Sequence, residues 1–219
     1  MLGGPRSTTG GFRANVGRGG VLDATSARLA VLAISALAAL LVSDNPLETP
    51  SWLGLHGAAS LALSLAEGAL VAVIFVFCTR AFGQRSTTGK ALARELSIKA
   101  SAMRARQIIF VAASAGITEE LFFRGALTPS CGIVLSALAF GALHFRSGLA
   151  WSALATVFGA ALGVVFLSSG SLAGPVLAHF AVDMVALFAA REASARLEAK
   201  AIGMQKLGGL LGDAARNSH

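Results

Sequence analysis

Charge is scarce in this sequence. Asp, Glu, Lys and Arg make up 13% of its 219 residues, against 55% hydrophobic ones. That balance excludes a soluble globular chain and points to a polytopic membrane protein. Tyrosine is absent, and the Ala- and Gly-rich composition fits a high-GC prokaryote. There are two cysteines, Cys78 and Cys131, in no metal or redox pattern. The span order below places them on opposite sides of the bilayer, so they are not expected to pair. No His-Glu-x-x-His helix is present, so the strong zinc-protease signature is missing. No internal repeat is found, which counts against the inverted-repeat design of a transporter. The net charge of +7 would suggest a nucleic-acid partner on a soluble protein. On a membrane chain it faces the cytoplasm and anionic lipid instead, and no nucleic-acid partner is expected.

What is abundant is long apolar runs. The sequence predicts an all-α membrane helix bundle of about six spans, near 21–42, 58–77, 107–127, 132–145, 149–167 and 172–190. Residues 1–20, rich in Gly and Arg, are expected to form a disordered cytoplasmic tail. Residues 21–190 form one transmembrane domain with a motif-bearing core at 106–190, and 191–219 a basic, helix-prone cytoplasmic tail. The second half of 79–106 reads as a helix lying on the membrane surface. All Lys and Arg residues except Arg124 fall in the N-terminal segment, in 79–106, at Arg146 or in the C-terminal tail. The three loops on the other side hold none. Both termini are therefore expected in the cytoplasm of a multi-pass plasma (inner) membrane protein.

Between 107 and 190 the only Asp, Glu, Lys or Arg residues are Glu119, Glu120, Arg124, Arg146 and Asp183, and the only histidines are His144 and His179. Each ionisable group at the centre of a membrane helix costs roughly 2.5–3.5 kcal/mol on insertion scales, so such groups mark function by default. They fall into three patterns, one per helix: Glu119-Glu120-x-x-x-Arg124, Phe140-x-x-x-His144 and His179-x-x-x-Asp183. Spacing of four puts each pair on one helix face. Glu120 and Arg124 can then pair, leaving Glu119 turned about 100° away. Counted from the non-cytoplasmic ends, Glu119, His144 and His179 lie roughly 12, 17 and 10 Å deep. One level can hold all three.

In this order the three motifs resemble the CAAX-protease and bacteriocin-processing intramembrane proteases, the CPBP or Abi family, over about 106–190. Larger members have about eight spans, so the N-terminal part is reduced here. The resemblance implies hydrolysis of a peptide bond near the membrane-anchored end of a peptide or protein substrate within the bilayer. It implies a site of Glu119, Glu120, Arg124, His144, His179 and Asp183. The family carries Asn or Asp at the last position, and an ionised Asp183 cannot donate a hydrogen bond.

The chemistry of the residues agrees with that implication. Glu119 and His144 can hold a water and take its proton. His179 and Asp183 can face the developing oxyanion. Asp183 is expected to orient His179 or keep it protonated, and Glu120 with Arg124 to be a clasp that fixes Glu119. The same Glu119, His144 and His179 would make a His₂Glu zinc set with an open fourth position. A metal-free, glutamate-dependent reaction is the favoured alternative. Two other classes stand beside the protease: an ion- or proton-coupled transporter, and a non-catalytic immunity or scaffold protein. Glu67, in the second span, can join the site, pair with Arg124 or reach a polar cavity. Gly159-x-x-x-Gly163 suits close helix packing.

Overall fold

A backbone in lipid has no water to bond, so every apolar run here must satisfy its own N–H and C=O groups as helix. The computed structural model describes residues 18–43 and 45–216. The expected tail at 1–20 lies almost wholly outside them. The described residues form α1 (Arg18–Val42), α2 (Gly57–Arg85), α3 (Thr87–Ser101), α4 (Ala105–Glu120), a π-helical segment (Leu121–Leu127), α5 (Thr128–Leu143), a 3-10 turn (Phe145–Ser147), α6 (Leu149–Ser169) and α7 (Ala173–Arg216). Among them there is no strand, only a single bridge between Glu48 and Ser171. The protein is a helical integral membrane bundle.

By length and composition, four helical stretches can cross a membrane: Gly57–Arg85, Ala105–Leu143, Leu149–Ser169 and Ala173–Lys206, with Leu29–Val42 a shorter apolar helix. The second stretch is not one rod. Gly132 sits at φ 80°, ψ 168°, outside the helical region, in the left-handed half of the map that favours glycine. The Ser136 hydroxyl donates to the Phe123 carbonyl at 3.0 Å and is 3.0 Å from the Thr128 hydroxyl. In an unbroken helix Phe123 and Ser136 would be roughly 19 Å apart. The chain therefore reverses at Gly132, and α4 and α5 are two limbs of a hairpin. This gives six apolar passes, as the sequence predicts.

α7 is the central post. It packs against α2, α3, α4 and α6. Its crossing with α2 is made by small residues. The buried Ser64 hydroxyl donates to the Ser171 carbonyl at 2.9 Å and accepts from the Gly174 N–H at 2.8 Å. Gly68 and Gly174 lie backbone to backbone; a Cβ on Gly174 would overlap the Ser64 carbonyl. With no hydrophobic drive between helices in lipid, such close approach and interhelical hydrogen bonds are what bind them. Gly174→Ala is expected to destabilise the bundle by about 1–3 kcal/mol through overpacking. A thermal-shift measurement in detergent checks this; an unchanged midpoint would contradict the crossing geometry.

The α6–α7 corner is strapped by the α1–α2 loop. Thr49 N–H bonds the Gly170 carbonyl, Leu172 N–H the Leu47 carbonyl and Trp52 N–H the Leu167 carbonyl, each at 2.9 Å. Beneath the strap, Leu121, Phe166 and Leu172 form a buried apolar layer with Leu32, Ala36, Leu167 and Val176. At the other end α3 begins at Ser86, whose hydroxyl accepts from Gly89 N–H at 3.3 Å. α3 lies within the basic stretch 79–106. Residues 79–106, Arg146 and Arg191 gather all the cations of the described loops at this end, while Asn45–His56, Thr128–Gly132 and Gly170–Leu172 carry none. α7 runs without a break through residue 190, where the sequence suggests that the membrane part ends and the tail begins.

Candidate active site

Three helices deliver the acid–base groups to one place, as the spacing predicts. α4 and the π-helical segment bring Glu119, Glu120 and Arg124; the end of α5 brings His144; α7 brings His179 and Asp183. Glu120 and Arg124 are the most enclosed, at 0% and 1% exposure. Arg124 Nη1 donates to Glu120 Oε1 at 2.9 Å and Nη2 to the Gly159 carbonyl at 2.6 Å. Its guanidinium carbon lies 5.2 Å from the Phe140 ring centroid. The pairing expected of Glu120 and Arg124 is present.

The remaining partners differ from expectation. Glu120 Oε1 also meets His179 Nδ1 at 2.8 Å. Glu120 therefore bonds the ring that Asp183 was expected to orient or keep protonated. Asp183 stands at the other ring nitrogen: its Oδ2 and Glu119 Oε2 are each 3.8 Å from His179 Nε2. Nε2 thus faces the two other carboxylates. One carboxyl of Glu120 joins the guanidinium and the imidazole, so the clasp includes His179.

His144 closes α5 and bonds its own motif partner, with Nδ1 2.8 Å from the Phe140 carbonyl. A carbonyl only accepts, so Nδ1 carries a proton, and in the neutral ring Nε2 is the acceptor. The Phe140 ring stands 4.9 Å from the His144 ring and 5.8 Å, edge-on, from that of His179. The motif phenylalanine is therefore the spacer between the two imidazoles. Gly159 makes room for it: a Cβ there would lie 3.2 Å from the Phe140 ring. Gly163 does the same for Ile133 on α5, so both glycines serve close packing, as read from their spacing.

Exposure divides the site. Glu119 and Asp183 keep 32% and 34% of their side chains accessible, while Glu120, Arg124 and His179 are buried. Glu120, Arg124 and His179 form a buried frame, with Glu119 and Asp183 at its more accessible edge. Glu119 Oε2 is itself enclosed and has no hydrogen-bond partner within the protein, as is true of Glu120 Oε2 and Arg124 Nε. The π-helical segment gave no sequence signal. Its wider turn brings Thr128 N–H to the Phe123 carbonyl, five residues back, in the turns that carry Arg124. Such turns recur at functional sites.

Glu67 has a partner of its own. It accepts from the Ser168 hydroxyl at 2.6 Å, beside the strap. Among the described residues no group of three His, Cys, Asp or Glu side chains is placed to hold an ion, the Glu119, His144 and His179 set included; His179 Nδ1 bonds Glu120 and leaves Nε2 facing Glu119. Cys78 and Cys131 are unpaired and exposed, as expected.

Residues 101–185 match the family described as Type II CAAX prenyl endopeptidase Rce1-like. That segment contains all three motifs, so the resemblance they carry is borne out. The uncharacterized protein YpbD of Bacillus subtilis (strain 168) is 36% identical over 80 residues, 36% of this chain and 42% of that protein. The match thus spans less than half of either. No solved structure matches the chain.

Proposed function

From the kinship of residues 101–185 with the Rce1-like endopeptidases, we propose that this protein is an intramembrane endopeptidase that hydrolyses a peptide bond in a membrane-anchored substrate. The observation that carries the reading is the carboxylate–imidazole pair of Glu120 and His179, whose free ring nitrogen faces the part-accessible side chain of Glu119, which we take as the working edge.

In the proposed reaction a water lies between Glu119 and His144 Nε2. Glu119 takes its proton as the oxygen attacks the scissile carbonyl. His179 Nε2 faces the oxyanion, with the ring fixed by Glu120. The proton is then passed to the leaving amine as the C–N bond breaks. Asp183 stays beside Nε2 as a second carboxylate. Arg124 offsets the charge of Glu120 and does not touch substrate. These steps run on the protein's own acid and base groups.

Access follows from how the hairpin opens. α5 packs on the π-helical segment and on α6, while the lower part of α4 packs on α1 and α7. The two limbs are joined at the Gly132 end and diverge toward the basic end. Glu119 lies near the apex of that wedge. The opposite side is closed by the strap and the Leu121–Phe166–Leu172 layer. Helix depth alone favours the non-cytoplasmic face and hence exported substrates. The wedge favours entry from the basic end, which we place in the cytoplasm.

The experiment uses Ala115, one turn below Glu119 on the same face of α4. In a protein with Cys78 and Cys131 replaced by serine, Ala115→Cys should retain generation of new membrane-protein termini. Alkylation by a bulky maleimide should abolish it, whereas alkylating Cys131 in the wild type, at the closed end, should not. Full activity after alkylation at position 115 would overturn the wedge as the route.

A further inference from the structure

We propose that the groove at the basic end of the bundle, between the end of α2, α3, the start of α6 and α7, is a binding site for an anionic phospholipid. The groove encloses about 310 Å³ and is lined mainly by apolar groups, among them Phe82, Leu92, Leu96, Trp151 and Ala190. It is part of the packed fold. Ser86 caps α3, and Gly89 lies so close to Phe82 and Gly83 that a Cβ would overlap their backbone. The α2–α3 corner is thereby fixed, and α3 is held as one wall.

Three features select the occupant. The lining calls for an aliphatic chain. The lining's one charged side chain is Arg80, which is exposed at its edge. The ion pairs on the neighbouring helices are Lys99–Glu95 and Arg196–Glu192, and neither involves Arg80. Arg85, Lys90 and Arg94 are exposed at the same level, so the surroundings are cationic. A basic pocket between membrane helices is matched by a lipid with an anionic head.

A substrate's apolar part is disfavoured because the groove does not lead to the site. Phe75 and Phe158 stack at 4.1 Å and, with Ala155 and Val182, form the buried layer between the groove and His179. Ala186, in the lining, is one turn beyond Val182 on α7, and Trp151 is one turn before Ala155 on α6. The lipid would brace α3 against α7, the helix that carries His179, without meeting the reacting atoms.

The chain has two tryptophans. Trp52 is exposed in the strap loop, at the other end from Trp151. In a Trp52→Phe protein Trp151 is the sole emitter. The protein is reconstituted in phosphatidylcholine bilayers carrying a small fraction of dibrominated phosphatidylglycerol or, separately, dibrominated phosphatidylcholine. The anionic quencher should be more effective per mole by about fivefold. The preference should vanish in Arg80→Gln, and quenching by both lipids should fall in Ala189→Leu, which fills the groove. Equal quenching by the two lipids overturns the proposal and leaves the groove to a neutral chain. A preference that survives both substitutions also overturns it, by placing the lipid on the outer cations of α3. Neither readout depends on proteolysis.

Discussion

Arg124→Ala is expected to yield a protein that barely accumulates in the membrane, and whose detergent-solubilised remainder melts roughly 10 °C lower. Arg124 is 1% exposed and its partner Glu120 is 0% exposed. Removing one member of a buried pair leaves the other charge uncompensated, at a cost of about 3–5 kcal/mol. The loss is compounded here. Glu120, Glu119 and Asp183 would be left around His179 with no guanidinium among them. The Gly159 carbonyl would lose its donor, and the Phe140 ring the cation beside it. Arg124→Lys should fall between, because a single ammonium does not span Glu120 and Gly159 as the two guanidinium nitrogens do. Wild-type melting of Arg124→Ala would mean that the frame is not what holds these helices.

Glu119→Gln is expected to do the reverse, abolishing cleavage while leaving the fold intact. General acid–base catalysis contributes roughly 10²–10⁴ in rate, and a glutamine keeps the shape while losing the base. Stability should hold, because Glu119 makes only a long ion pair, 3.8 Å from His179 Nε2. The substitution also removes one of three clustered carboxylates, so a melting point equal to or slightly above that of the wild type is expected. A large fall in both stability and cleavage would move Glu119 from the working edge into the frame.

Much of this arrangement was legible in the sequence because membrane helices punish idle charge. With so few ionisable groups between 107 and 190, i, i+4 spacing alone placed Glu120 against Arg124 and His179 beside Asp183. The hairpin at Gly132 was marked by the break between the apolar runs 107–127 and 132–145. Other features rest on contacts between distant segments, which periodicity does not encode. Glu120 and His179 are 59 residues apart, and either carboxylate near His179 satisfies the pattern. The strap over the α6–α7 corner is made by backbone groups of residues 47–52, which any sequence there can supply. The π-helical turn shares its apolar composition with the α-helix around it. The divergence of α4 and α5 depends on what each limb packs against, which depth counting does not register.

The most direct test of the central claim compares membrane-protein termini in cells carrying the wild-type protein or Glu119→Gln at matched abundance. New termini within a few residues of a membrane anchor should appear with the wild type and be lost with Glu119→Gln, and also with His179→Ala. Identical terminus profiles, with all three proteins folded and equally abundant, would contradict the account of this protein as a protease.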